Sequence, residues 1–360
     1  MSGANGAGGE RFVDWRLAER IGVALAQSSS PGPFSQLEVS RAGERAVGLV
    51  AEYTGLEPME ELPAPEAVDR AQWVRANLAA LRAMSGDVER RLAESMRMPE
   101  PFRGIARTVA GTAAAGELGL ALGYVGRKVL GQYDVAVIGP ARPPRLLFVT
   151  PNLAEAHRRL GGERETFLNW IALHEATHAL QFASVPWLRD HLGDMVTELL
   201  GGASVDGDLS RLRDAARRVL LPPDPRRLAE ELREGGLVQL LAGPREASVL
   251  RRVQAAMAVV EGYSEHAMDA IGARLDAGYG RLRDAMEADR DRRGRLDAIV
   301  ARLLGLDMKL RQYRLGKRFS DAVAERAGIS GLNEVWRAPD ALPGTGELED
   351  PERWLARVSV

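Results

Sequence analysis

Apolar positions recur at helical spacing along most of the chain. Behind the acidic residue Asp14, apolar residues at Leu17, Ile21, Val23 and Leu25 predict a helix over Asp14–Gln27. The same kind of pattern predicts helices over Ala67–Met84, Ser85–Met98, Thr108–Leu130, Glu163–Ala183, Leu188–Leu200, Asp206–Val219, Pro225–Arg233, Pro244–Ala273, Arg281–Leu304 and Met308–Ala327. Only two runs read as strands, Asp134–Ile138 and Leu146–Thr150. The turn-forming stretch from Gly139 to Pro144 separates them, so they are expected to form a hairpin, and Pro143 and Pro144 put that pair at an edge. The fold class is therefore mainly α with a small hairpin or edge-strand element.

The organisation expected from this pattern is a disordered tail over 1–10, an N-terminal helical region over 11–130, a chemistry-bearing region over 131–332 and a C-terminal surface strap over 333–360, together one compact unit. The Gly- and Ala-rich run from Val109 to Val125 is interrupted by Glu117 and sits at the short limit for a bilayer span, so a close-packed helix is expected there.

The chain has 360 residues, 45% of them hydrophobic, enough for a sizeable core. Its 48 basic and 50 acidic residues leave a net charge of −2, which argues against a nucleic-acid or membrane-surface partner. The Arg-rich stretch Arg281–Arg302 has acids interleaved throughout and reads as a solvated helix face. There is no cysteine, so any metal site must use His, Asp or Glu, and the expected location is cytoplasmic. The N-terminus lacks the basic start and apolar run of a secretory signal.

Chemistry is concentrated in His174-Glu175-Ala176-Thr177-His178, an H-E-x-x-H run. Helical residues four apart lie one above the other, so both imidazoles can reach one tetrahedral Zn2+, while Glu175 faces the space beside it. From there Glu175 can act as general base toward zinc-bound water, which attacks a carbonyl. Phe167 and Ile171 continue the stripe of the two histidines, and Trp170, Leu173, Thr177 and Leu180 form a neighbouring one, so the helix is expected to be buried on most sides. The longer pattern H-E-x-x-H-x-x-G-x-x-H is not met: Gln181 stands at its Gly position and Ser184 at its last His.

Three residues compete for the third ligand. Glu261, Glu265 and Asp269 share one face of an otherwise apolar helix, which suggests Glu261 as a ligand with Glu265 and Asp269 holding the imidazoles. Glu198 follows His178 by 20 residues, a spacing resembling that of thermolysin-like enzymes, but lacks their acid one turn on. His266 would complete a three-histidine site. Tyr263 and Tyr313 are candidate donors to an oxyanion. His157 and His191 read as surface or supporting residues.

Several segments together resemble one family. They are Val13-Asp14-Trp15, Gly131-Gln132-Tyr133-Asp134, the His174 motif, the run from Glu261 to Asp269, Leu310-Arg311-Gln312-Tyr313 and the run from Gly331 to Trp336. In these the chain resembles the actinobacterial zincin-like metallopeptidases, long labelled a domain of unknown function, with one branch named for association with deazaflavin cofactor biosynthesis. The resemblance spans nearly the whole chain and implies a helical zincin-like fold with a strand element beside the motif helix. The Glu261-Gly262 pair also resembles the third-ligand element of gluzincin aminopeptidases, although here 83 residues (261 − 178 = 83) separate it from the second histidine.

The function expected is a zinc-dependent metallopeptidase or hydrolase acting on a peptide or amide. The edge of the Leu146–Thr150 strand is the expected place for an extended peptide to pair. The alternatives are a zinc hydrolase of a small amide or ester in cofactor metabolism, and a catalytically silent zincin acting as a binding protein.

Overall fold

The computed structural model describes residues 12–26, 34–86, 89–90, 102–139, 142–202, 244–276, 278–291 and 306–358. Their helices are α1 (Trp15–Ala26), α2 (Gln36–Thr54), α3 (Arg70–Met84), α4 (Phe102–Gly126), α5 (Thr150–Leu160), α6 (Arg164–Ser184), α7 (Pro186–Gly202), α8 (Pro244–Leu275), α9 (Tyr279–Asp291), α10 (Leu306–Leu332), α11 (Thr345–Glu349) and α12 (Pro351–Val358). Three strands accompany them: β1 (Pro65–Val68), β2 (Gly131–Asp134) and β3 (Arg145–Val149). The expected tail over 1–10, the helices Asp206–Val219 and Pro225–Arg233, most of Ser85–Met98 and the Arg281–Leu304 stretch beyond 291 lie outside the described residues. Among the described residues, no helix is long and apolar enough to cross a membrane.

The chain divides into two compact units. The first contains α1, α3 and α4. Its Gly/Ala run packs as expected for a close-contact helix: a Cβ on Gly119 would stand 2.6 Å from Ala18 O, and one on Gly123 would stand 2.8 Å from Gly22 O. Ile105, Val109 and Leu120 of α4 are solvent-exposed. The start of α1 is held by the buried Glu89 carboxylate, which accepts from Phe12 N (2.9 Å), Val13 N (3.2 Å), Trp15 Nε1 (3.1 Å) and Ser85 Oγ (2.6 Å).

The second unit holds the sheet and the remaining helices. The strand order is β1-β3-β2, with β1 parallel and β2 antiparallel to β3. The hairpin is present, but its first strand spans Gly131–Asp134 and shares only Asp134 with the expected run Asp134–Ile138. The Pro65–Val68 strand and helices α2 and α5 are not anticipated by the periodicity. α2 begins with a capping box in which Ser35 Oγ accepts from Glu38 N and Ser35 N donates to Glu38 Oε2 at 2.8 Å. β1 is four residues with a proline first, too short for alternation to register, and forms through its pairing with β3.

Two further expectations are corrected. β3 is the central strand, so both its edges are occupied and no peptide can pair there; β1 and β2 are the edges. The C-terminal stretch is not a surface strap: Val335, Leu348, Trp354 and Val358 belong to the core, and Trp354 Nε1 donates to Ala341 O at 2.7 Å while its ring stands edge-on to Phe319. These buried apolar side chains, with Trp336 beside them, stabilise the segment through area removed from water rather than through its polar composition.

Candidate metal centre

α6 is buried along most of its length, with Phe167, Leu168, Trp170, Ile171, Ala172, Leu173, Ala176, Ala179 and Leu180 in the core. It packs against α2 and α8. α8 in turn crosses α10 at very short range. A Cβ on Gly262 would overlap the Gly316 backbone, and one on Gly316 would overlap Ala258 O, so only glycine permits this crossing. Glu261 stands next to this crossing on α8, and the packing of α8 against α6 brings its carboxylate to the histidines.

Three donor atoms meet there. His174 Nε2 and His178 Nε2 are 3.3 Å apart, and Glu261 Oε2 lies 3.6 Å from the first and 3.4 Å from the second. The two rings stand edge to face, 85° between planes. A tetrahedral centre with bonds of about 2.0–2.1 Å spaces its ligand atoms about 3.3–3.4 Å apart. The observed triangle has that size, and two imidazoles with one carboxylate are the donor set that catalytic zinc sites use. Among the described residues, this is the one His/Asp/Glu cluster with metal-holding geometry.

His178 is oriented by Gln181, which is fully buried. Gln181 Nε2 donates to Val260 O at 2.9 Å, which leaves its Oε1, 3.0 Å from His178 Nδ1, as an acceptor. Nδ1 therefore carries a proton, and Nε2, which faces Glu261, is the nitrogen that can bind a metal once its own proton leaves. Ser264 Oγ lies 3.4 Å from the same ring. Burial pushes the His178 imidazolium down, but the Glu261 carboxylate, Glu175 and Gln181 outweigh it and raise its pKa to about 9. The site thus favours a cation between its carboxylates, and a metal binding there takes the proton's place.

Glu175 is buried on the same helix. Its Oε2 accepts from Tyr133 N on β2 at 3.0 Å. Burial raises its pKa, the His178 charge lowers it, Glu261 raises it and the Tyr133 N–H lowers it, for a net value of about 7.

Other candidates stand elsewhere. Glu198 pairs with Arg252 at 2.6 Å. His266 Nδ1 lies 2.9 Å from Asp321 Oδ1, and its Nε2 lies 2.8 Å from Tyr53 Oη, so both ring nitrogens are engaged away from the metal cluster. Asp269 does not hold the imidazoles; it accepts from Tyr279 Oη and pairs with Arg283 and Lys317. Glu265 is buried one turn beyond Glu261. The Tyr263 hydroxyl donates to Asn333 Oδ1 at 2.7 Å, which commits it to packing rather than to an oxyanion. Tyr313 lies on α10, outside the residues whose side chains are described. His157 lies 3.0 Å from Gly162 O and packs on Phe34 and Phe167, and His191 stands on Trp187.

Sequence reasoning missed the Tyr133 N–H and the supporting part of Gln181. A backbone donor leaves no trace in residue identity. Gln181 was visible only as the residue that breaks the longer histidine pattern.

Among curated proteins, no sequence matches significantly. The chain is similar to a crystal structure described as a "putative hydrolase with a novel fold" from Chloroflexus aurantiacus, with 27% identity and a TM-score of 0.68 over 96% of this chain and 99% of that one. A model of the zincin-like metallopeptidase family matches residues 13–355. With nearly its whole length matched and its two motif histidines meeting a glutamate from a distant helix, the chain belongs to the zincin-like metallopeptidase family.

Proposed function

We propose that this protein is a zinc-dependent metallohydrolase of peptide or amide bonds, with His174, His178 and Glu261 as metal ligands and Glu175 as general base. The observation that carries the reading is the triangle of 3.3, 3.4 and 3.6 Å formed by His174 Nε2, His178 Nε2 and Glu261 Oε2. A zinc ion held there would supply Lewis acidity, polarising a carbonyl and lowering the pKa of water toward about 7. Glu175 takes a proton from the attacking water and passes it to the departing amine. Its position beside His174 and its contact with the Tyr133 N–H support that role.

Glu175→Gln, purified beside the wild type, tests this reading. Retained metal with turnover lowered by about 10²–10⁴-fold is the expected result. Unchanged turnover would remove Glu175 from the mechanism.

One observation favours a small amide or ester as the substrate over a long peptide. β3 is covered on both sides, and β2, the edge strand beside α6, is only four residues long with its Tyr133 N–H given to Glu175. Little edge is left for an extended chain to pair with. Comparing turnover of short N-acyl amides with that of a peptide library separates the two: a preference for longer peptides would reject the small-substrate reading.

A further inference from the structure

The Gly131-Gln132-Tyr133-Asp134 segment has no part in holding a metal, yet β2 lies directly against the proposed base. Tyr133 N–H donates to Glu175 Oε2 at 3.0 Å. A Cβ on Gly131 would stand 2.6 Å from Glu175 Cγ, 2.8 Å from Oε1 and 2.9 Å from Cδ. Real Cβ atoms do not approach so closely, and the atoms met include Cγ and Cδ, in the middle of the buried Glu175 side chain.

The backbone gives no separate reason for glycine at this position. Gly131 is not one of the glycines with positive φ, and it pairs in regular register with Phe148. A glycine inside a strand weakens it, and one common reason for finding it there is the close approach of another group. Here that group is the Glu175 side chain.

We infer that Gly131 is a positioning residue for Glu175: its missing side chain and the neighbouring Tyr133 N–H together form the cradle that sets where the carboxylate points. The inference rests on the general-base reading above. A carboxylate displaced by a methyl group would lose its alignment with the attacking water, while the three atoms nearest position 131 all belong to Glu175 and none to the metal donors His174, His178 and Glu261.

The test is a double-mutant cycle on the full chain, read by thermal melting and metal content, with turnover as a third measurement. Gly131→Ala in the wild type should lower Tm, keep about one metal per chain, and reduce kcat by about 10²-fold with little change in KM. The same substitution made in Glu175→Ala should leave Tm where Glu175→Ala alone puts it, because the overlapping atoms are gone. If Gly131→Ala alone does not fold, a folded Glu175→Ala/Gly131→Ala protein still supports the contact. An equal loss of Tm in both backgrounds would overturn the inference, and so would wild-type kcat in Gly131→Ala. Failure of the general-base reading shows itself separately, as full activity in Glu175→Gln.

Discussion

Glu261 Oε2 lies 3.4 Å from His178 Nε2, although the two residues belong to different helices far apart in the chain. That contact makes a testable division among the acids and histidines of this protein. Elemental analysis should find about one zinc per chain in the wild type and in Glu198→Ala, since Glu198 is engaged with Arg252. His174→Ala, His178→Ala and Glu261→Ala should each lose it. Loss of metal in Glu198→Ala with retention in Glu261→Ala would reverse the ligand assignment.

Gln181 joins His178 to the carbonyl of Val260, the residue before Glu261. Gln181→Leu keeps the size but removes both hydrogen bonds, freeing the tautomer of His178. Metal affinity, measured by chelator competition, should fall by about 10–100-fold. Gln181→Glu retains the acceptor toward Nδ1 and should lose less. Equal affinity in all three proteins would show that this hydrogen bond does not tune the ligand.

His266 is read as a structural bridge between Tyr53 and Asp321. His266→Ala takes a partner from the Tyr53 hydroxyl and leaves Asp321 with Lys317, and should cost about 1 kcal/mol of stability in urea denaturation. Its metal content should equal that of the wild type. A metal-free His266→Ala protein would return this residue to the list of ligands.

Glu89 gives a pH dependence whose sign can be worked out. Burial pushes its carboxyl up, but hydrogen bonds from Ser85, Val13, Trp15 and Phe12 outweigh burial and hold its pKa below the ordinary value. A folded pKa below the unfolded one, about 4.3, means the unfolded chain binds more protons in that range. The contribution is fully present above about pH 4.3 and is lost as pH falls through the lowered folded value. Stability measured from about pH 7 to pH 3 should therefore decline more steeply in the wild type than in Glu89→Gln, which lacks the titrating group. Parallel curves would show that Glu89 does not titrate with folding.

The helical period was enough to place His174, Glu175 and His178 together on one buried helix, because residues four apart on a helix are neighbours whatever the rest of the fold does. It was enough also to find most of the long helices, whose apolar stripes are local patterns. An acid on an apolar helix puts Glu261 first as third ligand, with Glu198 and His266 as alternatives. What sets Glu261 beside the histidines, with Glu198 on Arg252 and His266 between Tyr53 and Asp321, is packing between helices distant in the chain, which no stretch of sequence displays.

The same distinction accounts for the errors. β1 exists because β3 is there to pair with it, and β3 is central because β1 and β2 take its two sides. Asp269 was drawn toward the site by its register on α8, but Arg283 and Lys317, from α9 and α10, claim it. The C-terminal segment reads as polar and loop-like, while its apolar side chains Val335, Trp336, Leu348, Trp354 and Val358 find the core. Chain-local spacing thus determined the motif and its chemistry. Which acid stands beside the histidines, which strand edge remains open and what surrounds Glu175 were decided by packing between segments distant in sequence, since contact energies depend on the partner reached and not on the residue alone.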